Sequence, residues 1–166
     1  MRRIADSGVI FVLVSLLALP SALCQTRVLP QSLGRLILVK TLEGKDAQVF
    51  LNRLHQKSVA PKSSVTGEYL TGDKTATLYV SVYKAEREAR EAGSRMMRLM
   101  KGGNRVFGHY SENNYGRLLV GRCVGRGQIH YVFQKRASVY WLSIDPVPEQ
   151  EALESLLAHV SAPIEK

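Results

Sequence analysis

Hydrophobic and polar positions change period several times along this chain, and each change marks an element. Thr75–Tyr83 alternates strictly, with Ala76, Leu78, Val80 and Val82 on one side and Thr77, Tyr79, Ser81 and Tyr83 on the other. That two-residue period predicts a strand with one buried face. Lys84–Lys101 switches to a helical period, which predicts Ala85, Ala89, Ala92, Met96 and Leu99 on a stripe against a sheet. The small residues Ala89, Ala92 and Gly93 predict close approach, Glu86–Arg90 and Glu91–Arg95 are spaced for i,i+4 pairing, and Gly102-Gly103 ends the helix.

Upstream, Leu33–Leu42 reads as a first strand broken by Gly44. Asp46–Gln56 reads as a helix burying Ala47, Phe50, Leu51 and Leu54. Val65, Gly67 and Tyr69 open an alternating strand that turns at Gly72-Asp73. Downstream come four short strands, Val106–Ser111, Arg117–Val124, Gln128–Lys135 and Val139–Ile144. Turns are expected at Glu112-Asn113-Asn114, Gly125-Arg126-Gly127 and Arg136-Ala137-Ser138. Such spacing predicts an antiparallel meander. Pro148–Val160 closes the chain as a helix burying Ala152, Leu153, Leu156, Leu157 and Val160, with Glu149 and Glu151 at the positive end of its dipole.

The order (β)-α-β-β-α-β-β-β-β-α predicts an α+β fold: an antiparallel sheet of about five to seven strands with two or three helices packed on it. This order is similar to that of several small exported α+β domains, including the PsbP/Mog1-like group, a similarity of element order that implies no site.

The first segment follows a different logic. Met1-Arg2-Arg3 is positive, Val9–Leu19 is apolar apart from Ser15, Pro20 breaks the run, and Ala22-Leu23-Cys24 offers small residues for cleavage. This is the order of a secretory signal. The apolar run is about eleven residues, short of the roughly 20 that a spanning helix needs. The expected organisation is a signal peptide at 1–24, a flexible leader at 25–32, a single α+β domain at 33–162 and a tail at 163–166. The mature chain is expected to be periplasmic or extracellular, with no transmembrane segment.

Composition changes this picture little. Hydrophobic residues make up 45% and charged residues 22% of the 166. Roughly 140 residues after cleavage suffice to bury about two-thirds of the unfolded surface, so the core needs no disulfide. Of the two cysteines, Cys24 lies at the cleavage point, which leaves Cys123 unpaired and expected inside as a small hydrophobe. The net charge of +9 is spread along the chain and favours anionic partners.

Candidate chemistry is sparse. The chain has no P-loop, G-x-S-x-G, H-E-x-x-H or C-x-x-C motif. Gly121–Gly127 is glycine-rich but joins two strands, which predicts a hairpin turn and not a phosphate cradle. Cys123 and His130 could form a nucleophile–base pair. With Arg126 at the centre of the turn, however, Cys123 would lie opposite Ile129 and His130 opposite Arg122, on different faces. His109 and His130 could converge, yet Glu112 is the only carboxylate near them, so no metal site is expected. Trp141 is expected in the core.

Arg117, Arg122, Arg126, Lys135 and Arg136 fall near the hairpin ends, interleaved with Tyr110, Tyr115, Tyr131 and Tyr140. Cations beside aromatics can hold an anionic ligand. Arg117, Arg122, Arg126, His130, Arg136, Tyr110 and Tyr115 are therefore the candidate binding residues. No catalytic set and no cofactor is expected. The functional expectation is an exported, non-enzymatic accessory or binding domain that engages a protein or an anionic envelope component through a basic, tyrosine-bearing sheet face. Nucleic acid is not an expected partner outside the cytoplasm. A second reading is a small hydrolase or transferase using Cys123 or His130, and a third is a homodimer formed by sheet faces or edges.

Overall fold

The structure, a computed structural model, describes residues 28–55, 61–103 and 105–162. The expected signal peptide at 1–24 and the tail at 163–166 lie outside the described residues. The elements run β1 (Ser32–Leu33), β2 (Leu36–Glu43), α1 (Gly44–His55), β3 (Ser63–Thr71), β4 (Lys74–Val82), α2 (Glu86–Lys101), β5 (Phe107–Tyr115), β6 (Leu118–Gly125), β7 (Gln128–Lys135), β8 (Ser138–Ile144) and α3 (Glu149–Ser161). The eight strands form one sheet in the order β1-β2-β3-β4-β8-β7-β6-β5, with every neighbouring pair antiparallel.

The α+β architecture and the β5–β8 meander follow the sequence pattern. The strand number exceeds the expected five to seven because Leu33–Leu42 is not one strand. A turn at Gly34-Arg35 folds it into a short hairpin, pairing Leu33 with Leu36. The expected turn at Glu112-Asn113-Asn114 is also displaced. These residues pair with Gly121, Val120 and Leu119, and the chain reverses instead at Gly116, whose φ of 61° suits glycine. Ladder pairing here outweighs local turn preference.

The sheet is covered on both faces. On one face, Leu36, Tyr69, Ala76, Leu78, Val120, Phe133, Leu142 and Ile144 meet Leu153, Leu156, Leu157 and Val160 of α3. Leu29 joins this cluster, and the Tyr69 hydroxyl donates to the Pro30 carbonyl at 3.0 Å. Part of the expected leader is thus built into the core. An Arg35–Glu151 ion pair at 2.8 Å ties the first hairpin to α3. Burying each leucine of the α3 stripe contributes roughly 1.5–3 kcal/mol.

On the other face, α1 lies over β2 and β3, with Gln48 bonded to Ser64. The side chains of Phe50 and Leu54, expected on the inner face of α1, lie outside the described residues. Helix α2 lies over β5, β7 and β8, where Ala89 and Met100 pack with Cys123, Val132 and Val139. The buried stripe of α2 is rotated from the expected one. Ala89, Gly93 and Met100 are buried, whereas Ala85 is exposed and Leu99 is 66% exposed. Gly93 accounts for the rotation: a Cβ there would stand 3.2 Å from the Gln134 Cβ, so the helix seats its smallest residue closest to the sheet. Glu86 and Arg90 pair at 3.0 Å as expected, but Glu91 pairs with Arg87 instead of Arg95.

Candidate functional site

Three polar groupings in the described residues bear on function. The first centres on His130, the third residue of β7, on the face of the sheet that α2 covers. The β6–β7 hairpin turns on two residues, Arg126 and Gly127, whose φ values of 53° and 76° suit a tight hairpin. Gly125 therefore pairs with Gln128, and Cys123 pairs with His130. The expected pairing of Cys123 with Ile129 is off by one residue, because a two-residue loop shifts the whole register. Cys123 and His130 consequently share a face.

Sharing a face does not make them a catalytic pair. The Trp141 indole N–H donates to His130 Nδ1 at 3.1 Å, and His130 Nε2 lies 3.0 Å from the Gly125 carbonyl. The carbonyl can only accept, so His130 is the neutral Nε2–H tautomer with both nitrogens engaged. Phe107 and Trp141 meet the ring edge-on at 5.0 and 5.8 Å. Burial holds the His130 pKa below its usual value, and Arg126 adds to that, against the bond to Gly125. Cys123 is 0% exposed, and burial pushes its thiol up against a smaller opposing pull from Arg122. A thiol so placed is protonated and shielded from solvent.

The second grouping lies on the α3 face. Arg122 occupies an inward position of β6, between Val120 and Val124, where an unpartnered charge would be costly. Its Nε donates to Glu149 Oε1 at 2.9 Å, and the Tyr131 hydroxyl donates to the same oxygen. Glu149, at the first position of α3, also meets the positive end of the helix dipole. Arg122 is thus spoken for within the fold. From the sequence, Glu149 stands out only as a helix-end residue. The available signal is an arginine at an inward-facing strand position, which demands a carboxylate.

The remaining candidates divide between the ends and faces of the sheet. Arg117 follows the β5–β6 turn at Gly116, and Arg136 lies in the β7–β8 turn, so both sit at one end. Arg126, in the β6–β7 turn, sits at the other. All three are exposed. Tyr115 packs against the α3-side core. Tyr110 lies on the opposite face over Gly121 and donates to Glu112 at 2.7 Å. His130 shares that face with Tyr110. The seven residues therefore do not assemble into one continuous patch. His109 is exposed in an irregular stretch of β5 at φ 53°, while His130 is buried. Among the described residues, no group of three His, Cys, Asp or Glu side chains could hold a metal ion, and no helix is long and apolar enough to cross a membrane.

The third grouping is not among the candidates that the sequence suggests. It comprises the outer stripe at the end of α2, with Arg95, Arg98 and Leu99, followed by Lys101 and Arg105. All five are exposed. Between Glu91 and Glu112 the chain carries four cations and no acidic residue. No family model, curated protein or solved structure matches this chain.

Proposed function

We propose that the chain is an exported, non-enzymatic accessory or binding domain that engages a protein or an anionic envelope component through its exposed cations. One observation carries this reading. The buried His130 and the half-buried Arg122 and Glu149 are bonded within the fold, while Arg95, Arg98, Lys101, Arg105, Arg117, Arg126 and Arg136 stand exposed, with no salt bridge to a carboxylate among the described residues. Cations left unpaired at a surface act at a distance on anions and set encounter rates.

Pull-down from an envelope fraction tests this, first in dilute buffer and then at high salt. The Debye length contracts from about 10 Å at 0.1 M to about 3 Å at 1 M, so capture through these cations is lost at high salt. Capture that survives unchanged, or no capture at all, defeats the proposal.

The pairing of Cys123 with His130 favours a second reading, a small hydrolase or transferase. It requires Cys123 to ionise and meet substrate, against the burial that keeps it protonated. Labelling of the native thiol by an electrophilic substrate analogue, abolished by His130→Asn, would support that reading.

A further inference from the structure

We propose that the C-terminal end of α2 and the segment leading into β5 form a docking surface for an anionic phospholipid membrane, with Leu99 entering the headgroup layer. The proposal rests on the binding-domain reading above and assigns its surface and partner. Four observations lead to it.

First, the helix divides by charge. Its first half pairs its cations, Arg90 with Glu86 and Arg87 with Glu91. Its second half has no acidic residue to pair with, so Arg95, Arg98 and Lys101 face outward uncompensated. Cations near a helix C-terminus complement the dipole, which accounts for one or two of them. It does not account for what lies between them.

Second, that residue is Leu99, 66% exposed and the most exposed large hydrophobic residue described. It is exposed because Gly93 seats the opposite stripe on the sheet. Arg95 lies one turn before it on the same stripe, and Arg98 adjoins it.

Third, the chain beyond the helix continues the surface. Arg105 and Val106 are exposed, Val106 at 42%. Phe107 pairs with Gly125, and the Val106 carbonyl would stand 2.7 Å from a Cβ on Gly125. The segment therefore runs alongside the β6–β7 turn, which brings Arg126 to the same end of the sheet.

Fourth, the exposed apolar side chains Leu99 and Val106 stand between exposed cations on a helix rim and a turn. A lipid interface yields around such side chains. Its anionic headgroups meet the arginines while the leucine reaches the acyl boundary, the arrangement of amphipathic elements that lie on membranes. A single nucleic-acid strand would need aromatic platforms. The nearby Tyr110 is instead folded over Gly121 and bonded to Glu112.

The test is flotation of the protein, as recovered after expression and export, with phosphatidylglycerol–phosphatidylcholine vesicles and with phosphatidylcholine vesicles alone. Any contribution from the N-terminal residues is common to every variant. The wild type is expected to float with the anionic vesicles only and to be released by salt. Arg98→Glu/Lys101→Glu/Arg105→Glu should weaken partitioning by well over tenfold, since each cation near an anionic surface contributes roughly fivefold. Leu99→Ser should weaken it severalfold at unchanged melting temperature, and Arg98→Lys should keep the wild-type level. Equal flotation with both vesicle types, or charge-reversed protein that floats like the wild type, overturns the proposal. If anionic vesicles fail while salt-sensitive capture of an envelope protein persists, the membrane assignment falls and the binding-domain reading stands. If both fail, both fall.

Discussion

Replacing Arg122 with methionine keeps most of its buried stem and removes the charge that Glu149 faces. The side chains of the pair are 29% and 20% exposed, between the surface and interior regimes. Exposed pairs contribute about 0–1 kcal/mol, and breaking a fully buried pair costs about 3–5 kcal/mol, so Arg122→Met should cost about 2 kcal/mol. Glu149 keeps the Tyr131 hydroxyl and the α3 dipole, which holds the loss at that level. Glu149→Leu should cost a similar amount by stranding the guanidinium. The double variant Arg122→Met/Glu149→Leu leaves no charge unpaired and should cost only about 1 kcal/mol, a coupling of about 3 kcal/mol. Urea unfolding of the wild type, both single variants and the double variant measures each corner of this cycle. In thermal melts each single variant should fall by about 8 °C for a domain of this size. If the double variant loses the sum of the two singles to within about 0.5 kcal/mol, the pair is not a coupled unit and the argument fails.

Two further outcomes follow from the buried groups. Cys123 should react with a soluble thiol reagent only as fast as the domain unfolds, as read by mass spectrometry of its peptide. Rapid labelling of the native protein would show that the thiol is accessible after all. His130 titrates lower in the folded chain than its unfolded value of about 6.5, so the unfolded chain takes up the proton first. Its contribution to stability is present above that pH and lost as pH falls through the folded value. His130→Asn should flatten this part of the stability–pH curve; an unchanged slope would place the titration elsewhere.

Elements with a strong period are legible in the amino-acid order itself. The alternation of Thr75–Tyr83 survives as β4, with Ala76, Leu78 and Val80 buried. The α3 stripe is buried residue for residue. Departures come where a long-range partner overrides a local preference. Asn113 and Asn114 look like turn residues, yet β6 holds them in a ladder. Leu99 sits at a helical spacing that fits a buried stripe, yet a single close contact at Gly93 turns it outward. The Cys123–His130 relation depends on whether two or three residues form the hairpin loop, a difference that periodicity does not encode. The candidate site is the least legible part. Hairpin arginines cluster in sequence, but successive turns of a meander point to opposite ends of the sheet, so nearness along the chain translates into separation in space.

The junction of β4 with β8 has a consequence for how the chain reaches this state. It runs from Ala76–Ile144 to Val82–Ser138, fastened at one end by Asp145, which accepts from the Thr75 backbone N–H at 2.8 Å. The β5–β8 hairpins can zip locally within microseconds, but this seam must draw together strands separated by all of α2 and the first three strands of the meander. Among the strand pairings of the sheet, this one spans the longest stretch of chain and so carries the largest loop-closure cost. Until this pairing forms, two half-sheets each present a naked central strand, a template on which a second chain can polymerise. Agents that shorten that interval should raise the yield of folded protein more than any gain in the stability of the finished fold.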